Sequence, residues 1–229
     1  MAPVTEFSAI KLQPGLTPAA IDDGIRKLAE ATLAAPGCNG FYTSLVHEDP
    51  SRMYMLVDWA SLEAHQEFAQ QDFYLGLILE LVTACVDPGV PPIGYHVALS
   101  PAAPAVLHNN DSRRGATTPS SPAVELLHVY FPPGTAADAE IERQVGRFLG
   151  TLDGIEGFSG QTAVGWALEE LEYKDGEKCR VLVMGIGWES VAAHERFRDT
   201  EAFKEIVPIF MGIPGQKGVE AVHLSTKSW

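Results

Sequence analysis

WASLEAHQEF (Trp59–Phe68) and WESVAAHERF (Trp188–Phe197) share five identities in ten positions, 129 residues apart. In each, a Trp ends an apolar run and a Ser two residues later suits a helix N-cap. An Ala-His pair and a Phe then follow at helical spacing. Such a pair of segments announces an internal repeat. Working outward, EFSAIKLQPG (Glu6–Gly15) parallels ELLHVYFPPG (Glu125–Gly134), and PGCNGFY (Pro36–Tyr42) parallels DGIEGFS (Asp153–Ser159). These matches lie 119 and 117 residues apart, so the second copy carries an insertion before its WxS segment. The acidic segment Ala167–Glu177 is its expected place, as an extended hairpin loop.

Each copy spells the same elements. An alternating, extended segment ends at a Pro-Gly turn. A helix follows: Thr17 and Pro18 suit N-cap and N1 in copy one, with Ile21, Ile25, Leu28 and Leu33 as its stripe. Ile141, Val145, Phe148 and Leu152 do the same in copy two. Two strands come next, Phe41–His47 and Met53–Trp59, matched by Phe158–Trp166 and Cys179–Trp188. The run Val181–Met184 is β-branched and apolar enough for a buried strand. A second helix starts at Ser61 or Ser190, and Tyr95–Leu99 or Val219–Leu224 closes the copy. The fold class is therefore α+β: two ferredoxin-like βαββαβ repeats, each with one sheet face under its helices and the other free to meet the second copy. The expected division is residues 1–99 and 124–229, joined by a Pro/Ala/Ser-rich linker over 100–123.

Composition fits this reading and removes alternatives. Among 229 residues, 46% are hydrophobic and 20% charged, enough apolar surface for packed cores. The net charge is −14, the wrong sign for tracking phosphates, so neither nucleic acid nor an anionic membrane is an expected partner. The apolar run Leu75–Val86 is interrupted by Glu80 and too short to span a bilayer. No basic-then-apolar leader is evident at the N-terminus. Cys38, Cys85 and Cys179 are far apart and in no CxxC spacing, which points to a reducing, cytoplasmic setting.

The strand–WxS–helix junction, the PG turn after strand one and the GF opening strand two resemble the dimeric α/β-barrel superfamily. The nearest branch is the antibiotic-biosynthesis-monooxygenase-like proteins, including tandem-repeat members of fungal type. The resemblance covers both copies and implies two sheets packed into one barrel inside a single chain. That is an intramolecular pseudo-dimer, open to further homo-oligomerisation, with small-molecule pockets between sheet and helices. The family includes cofactor-free quinone-forming monooxygenases, polyketide cyclases and haem-handling proteins, and the fold does not choose among them.

His65 and His194 are the sharpest candidates for catalysis. Each lies four residues after its cap serine, on a face shared with Phe68 or Phe197. The positive helix N-terminus favours a neutral imidazole able to accept a proton; the alternative is a histidine bonded to a backbone carbonyl that locks helix to sheet. Glu6 and Glu125 open strand one in both copies. In the polyketide cyclases that the chain resembles, a histidine lies near that place, paired with another on the second helix. Here those positions hold Glu6 and Glu125, then Tyr74 and Phe203. This leaves a Glu/His/Tyr arrangement in copy one, and a carboxylate whose pKa an apolar pocket would raise. His128 and Tyr130 share the far face of their strand, and their counterparts are Ala9 and Lys11. His128 is a further candidate acid–base residue.

Trp59, Phe68, Trp188, Phe197 and Tyr130 are the expected substrate-contacting aromatics. His96 and His223 fall on the last strands, two residues out of register by counting, while His47 and His108 are expected in solvent. Asp58 stands where copy two has Gly187. No HxxxH, HExxH, GxGxxG, P-loop or GxSxG pattern occurs, so no metal or other cofactor is expected. The leading expectation is an enzyme of secondary metabolism, with general acid–base chemistry (isomerisation or cyclisation) on an aromatic, polyketide-like molecule. The alternatives are an O₂-dependent, cofactor-free monooxygenase of a phenol or anthrone, a non-catalytic haem- or metabolite-binding protein, and a scaffold.

Overall fold

The computed structural model describes residues 2–108 and 121–229. Both copies take the expected order. In the first, β1 (Val4–Lys11), α1 (Pro18–Leu33), β2 (Cys38–Leu45), β3 (Arg52–Trp59), α2 (Leu62–Ala69), α3 (Tyr74–Cys85) and β4 (Ile93–Val97) follow one another. In the second come β5 (Ala123–Phe131), α4 (Ala139–Gly150), β6 (Phe158–Trp166), β7 (Leu171–Glu172), β8 (Lys178–Trp188), α5 (Val191–Arg198), α6 (Glu201–Met211), β9 (Gly218–Leu224) and β10 (Lys227–Ser228). Among the described residues no helix is long and apolar enough to cross a membrane.

Local chemistry accounts for the helix starts. Thr17 caps α1 by accepting from the Ala20 N–H, with Pro18 just inside, and Ile21, Ile25, Leu28 and Ala29 are buried beneath. Ser61 accepts from the Ala64 N–H and Ser190 from the Ala193 N–H, capping α2 and α5 alike. Replacing Ser190 with alanine is expected to cost about 1 kcal/mol, seen as a melting temperature lowered by roughly 2–4 °C. The single second helix expected in each copy is two. It breaks after Ala69 and after Arg198, and Thr200 restarts the second copy's chain as a new N-cap by accepting from Phe203 N–H. The motif's alanine has a packing reason. Gly37 and Gly157 both adopt positive φ, and a Cβ on either would meet the Cβ of Ala64 or Ala193 at 2.7 Å.

These glycines also correct the repeat alignment. Cys38 and Phe158 pair with Trp59 and Trp188 respectively, so Gly37, not Gly40, is the counterpart of Gly157. The GF match is off by three: Gly157-Phe158 precedes the register shift in β6, whereas Gly40-Phe41 follows the one in β2.

Sheet one runs β10-β2-β3-β1-β4 and sheet two β6-β8-β5-β9. The two join at both edges. Val97 and Ser100 bridge to Ala167 and Val164 on one side, and Val46 bridges to Leu224 on the other. Beyond that bridge, β10 of the second copy pairs with β2 of the first. Closure leaves few open edges. Phe7, Leu56, Tyr95, Leu126, Tyr130 and Val183 fill the shared interior, while two further cores lie between each sheet and its own helices.

The expected linker is described only in part, since residues 109–120 lie outside the described residues. Its flanks are packed. Val106, Leu107 and His108 are buried, and β5 begins at Ala123. His108 is thus not in solvent: its Nε2 lies 2.6 Å from Asp58 Oδ2, and Tyr42 stacks on its ring. His47 is exposed as expected.

Candidate functional site

Strand alternation turns Glu6 and Glu125 to the helix side of their sheets. The ladders set His96 opposite Glu6 and His223 opposite Glu125. The two final-strand histidines are therefore equivalent. Counting put them two residues apart because the break between α5 and α6 is two residues long and that between α2 and α3 four, and pairing, not loop length, fixes the register. The start of α2 or α5 then lowers a third side chain onto each pair.

In the second half, His194 Nε2 lies 3.5 Å from Glu125 Oε2, and its Nδ1 lies 2.7 Å from His223 Nε2. The Trp188 indole stacks on the His194 ring, with centroids 4.5 Å apart. His223 in turn donates its backbone N–H to Glu48 Oε2 at 2.9 Å, and its Nδ1 bonds Glu48 Oε1. Glu48 belongs to the β2–β3 hairpin of the other half. The first half repeats this arrangement. His65 Nε2 is 3.5 Å from Glu6 Oε2, and its Nδ1 is 2.7 Å from His96 Nε2. His96 meets Glu169, from the insertion in the second half, through both its Nδ1 and its backbone N–H, each at 2.7 Å. Trp59 stacks on His65 and donates Nε1–H to Glu6 at 2.9 Å. Neither His65 nor His194 locks its helix through a backbone carbonyl. Each bonds the other histidine of its own half.

Burial governs the electrostatics. It pushes the Glu125 carboxyl up to about 7 against the opposing influences of the Trp188 indole and Arg198. Burial also pulls His194 down to about 4, helped by His223 and Arg198, so the imidazole is neutral. Desolvation is the largest cause of this neutrality. For Glu48, partial burial alone would raise the pKa. The two hydrogen bonds from His223 outweigh it, and the group titrates below the ordinary carboxylate range. Glu169 is lowered in the same way by His96.

The halves differ in space. Around Glu125, His194 and His223, the walls are Trp188, Phe197, Phe203, Phe148 and Phe210, and they enclose about 370 Å³. That is within the usual range for small-molecule sites. Around Glu6, His65 and Tyr74, with Trp59 and Phe68, only about 70 Å³ remains, room for a few waters. Shallow grooves of up to about 540 Å³ exist elsewhere, but none brings a carboxyl and an imidazole together inside an aromatic wall.

The structure brings together Glu6, His65, Tyr74, Trp59 and Phe68 on one side, and Glu125, His194, Trp188 and Phe197 on the other. It separates His128 and Tyr130 from both groups. Their face of β5 is the barrel interior, where His128 Nε2 bonds Tyr95 Oη at 2.5 Å and Tyr130 donates to Glu220 at 2.9 Å. Burial lowers His128 to about 4, which keeps it a neutral core residue. Glu48 and Glu169 escaped sequence reading. Their one signal is that each is an acid in the corresponding β-hairpin of its copy. Among the described residues, Glu6, His65 and His96 offer one ligand atom each within 4.8 Å of one another. A cation there would have to displace the His65–His96 hydrogen bond.

Residues 3–75 match the family model for antibiotic biosynthesis monooxygenase. No curated protein matches the chain. Solved structures match it over nearly its full length. An anthrone oxidase-like protein is 17% identical, covering 100% of this chain and 94% of its own, with a TM-score of 0.59. A candidate monooxygenase from Fusobacterium nucleatum is 10% identical over 99% and 94%, at 0.60. One from Lactobacillus acidophilus is 11% identical over 99% and 94%, at 0.56. At these identities the likeness is one of fold, and it spans both halves. Residues 3–75 thus match the antibiotic biosynthesis monooxygenase model, and the second half repeats the fold of the first.

Proposed function

We propose that the chain is an acid–base enzyme working in the second-half cavity, with Glu125 taking a proton from an aromatic or phenolic small molecule. The observation that carries this is a carboxyl titrating near 7, set 3.5 Å from a neutral imidazole, inside an aromatic wall of substrate size. A group with that pKa is matched to proton transfer at neutral pH. Trp188, Phe197 and Phe203 offer faces on which a flat, apolar substrate can stack.

Among reactions that begin with this step, oxidation by O₂ is favoured over isomerisation or cyclisation. The supports are the match of residues 3–75 to the antibiotic biosynthesis monooxygenase model and the likeness in fold to an anthrone oxidase-like protein. The substrate's own carbanion supplies the electrons. A methylene becomes a carbonyl, one oxygen atom enters the product and the other leaves as water. The protein deprotonates the substrate and keeps bulk water away.

The test is a panel of anthrones and phenols assayed in air and under strict anaerobiosis. Turnover is expected in air only. Activity that persists without O₂ would return the isomerase or cyclase reading, and no turnover of any member would remove the substrate class. With Glu125 as base, kcat/KM is expected to rise about tenfold per pH unit and level off above about pH 7.

A further inference from the structure

Glu125 is walled in, with its side chain 13% exposed, whereas the Glu48 side chain is 47% exposed. Two imidazoles span the distance between them. We infer that Glu48, lent by the opposite half, is the solvent end of a proton line Glu125–His194–His223–Glu48 that fixes the tautomer of His194. It is a positioning residue and proton outlet, and this role rests on the reading of Glu125 as the acid–base group.

The donors assign the direction. Glu48 is an ionised carboxylate that accepts the backbone N–H of His223, so His223 Nδ1 must donate to it. With Nδ1 as its donor, His223 has Nε2 as its accepting end, and His194 Nδ1, 2.7 Å away, donates there. This leaves the His194 Nε2 lone pair facing Glu125. A proton on the Glu125 carboxyl can therefore pass to His194 Nε2. The N–H at His194 Nδ1 breaks as its proton goes to His223 Nε2. The N–H at His223 Nδ1 breaks in turn, and its proton goes to Glu48 and then to water. One charge leaves the cavity, both rings end neutral in the opposite tautomer, and an inward proton along the same line resets them. Glu125 can thus equilibrate with solvent while the cavity is closed over its occupant.

The first half carries the same four groups in the same atomic order, with Glu169 as the outlet. That twin supplies an internal control. In the full-length protein labelled with ¹⁵N-histidine, long-range ¹H–¹⁵N spectra just below pH 7, where Glu125 still holds its proton, report which ring nitrogen bears the proton. Wild-type His194 and His65 are both expected to be protonated on Nδ1. In Glu48→Ala, His194 is expected to lose that preference, becoming a mixture or the Nε2–H form, with His65 unchanged. Glu169→Ala is expected to do the reverse.

A wild-type His194 protonated on Nε2 would overturn the line without any variant being needed. So would a His194 that stays on Nδ1 in Glu48→Ala, because a carboxylate that merely ties the halves together leaves the tautomer alone. An unchanged His65 signal shows that the variant has folded. No substrate enters the measurement, so a failed turnover assay would sink the catalytic reading and leave these tautomers standing.

Discussion

Glu125→Gln is expected to lower kcat/KM by about 10²–10⁴-fold and, above pH 7, to yield a more stable protein than the wild type. The glutamine keeps the shape and cannot accept the proton, so the loss measures the chemical role. The gain follows from linkage. The folded state holds the Glu125 proton up to about pH 7, whereas the unfolded chain releases it near 4.5. Between those values the native state binds more protons, so its stability falls as pH rises. The contribution is complete below the unfolded pKa and gone above the folded one. The neutral amide never meets that penalty, which amounts to about 3 kcal/mol. Urea melts of both proteins across pH 4–9 check it. Equal pH slopes would mean that Glu125 ionises as freely as in the unfolded chain, and would undo its part in the site.

The second large effect is structural. Asp58 and His108 side chains are 3% and 1% exposed, 2.6 Å apart, and Thr5 donates to the other carboxylate oxygen at 2.7 Å. Removing one partner of such a pair strands the other in a low dielectric. Asp58→Ala is therefore expected to cost about 3–5 kcal/mol, read as a lower urea midpoint. His108→Ala should cost a similar amount by leaving the carboxylate bare, and the double variant should recover part of the loss. The second half shows the alternative solution. At Gly187 a Cβ would meet the hydroxyls of Ser121 and Ser159 at 2.2 Å, and these bond each other at 2.7 Å. A cluster of hydroxyls takes the place of the carboxyl–imidazole pair.

Much of this was legible because its causes are local. Ser61 and Ser190 cap helices through neighbours three residues away, and the alternation of β5 separates Glu125 from His128. What the alternation does not tell is which face is sealed. His128 reads as a candidate base and lies in the barrel interior, since closure by the second sheet is a property of the whole chain. Glu48 and Glu169 are the deeper failure. Each completes a site in the half to which it does not belong, and their hairpins, HEDP at 47–50 and LEEL at 168–171, share no common pattern. His96 and His223 looked misaligned because counting runs through loops that differ in length, while hydrogen bonding ignores them. The β10 strand is two residues long, too short for any periodicity to mark it.

Two like sites of about 70 and 370 Å³ in one chain bear on inheritance. In a symmetric homodimer every codon is expressed twice, so a mutation that narrows one cavity narrows its mate. Fusing the copies breaks that bond. One half is free to drift toward a plugged, purely supporting form while its sister enlarges. The exchanged glutamates set the limit of that freedom: the closed half must go on supplying Glu48, and so stays under selection for a cavity that is not its own.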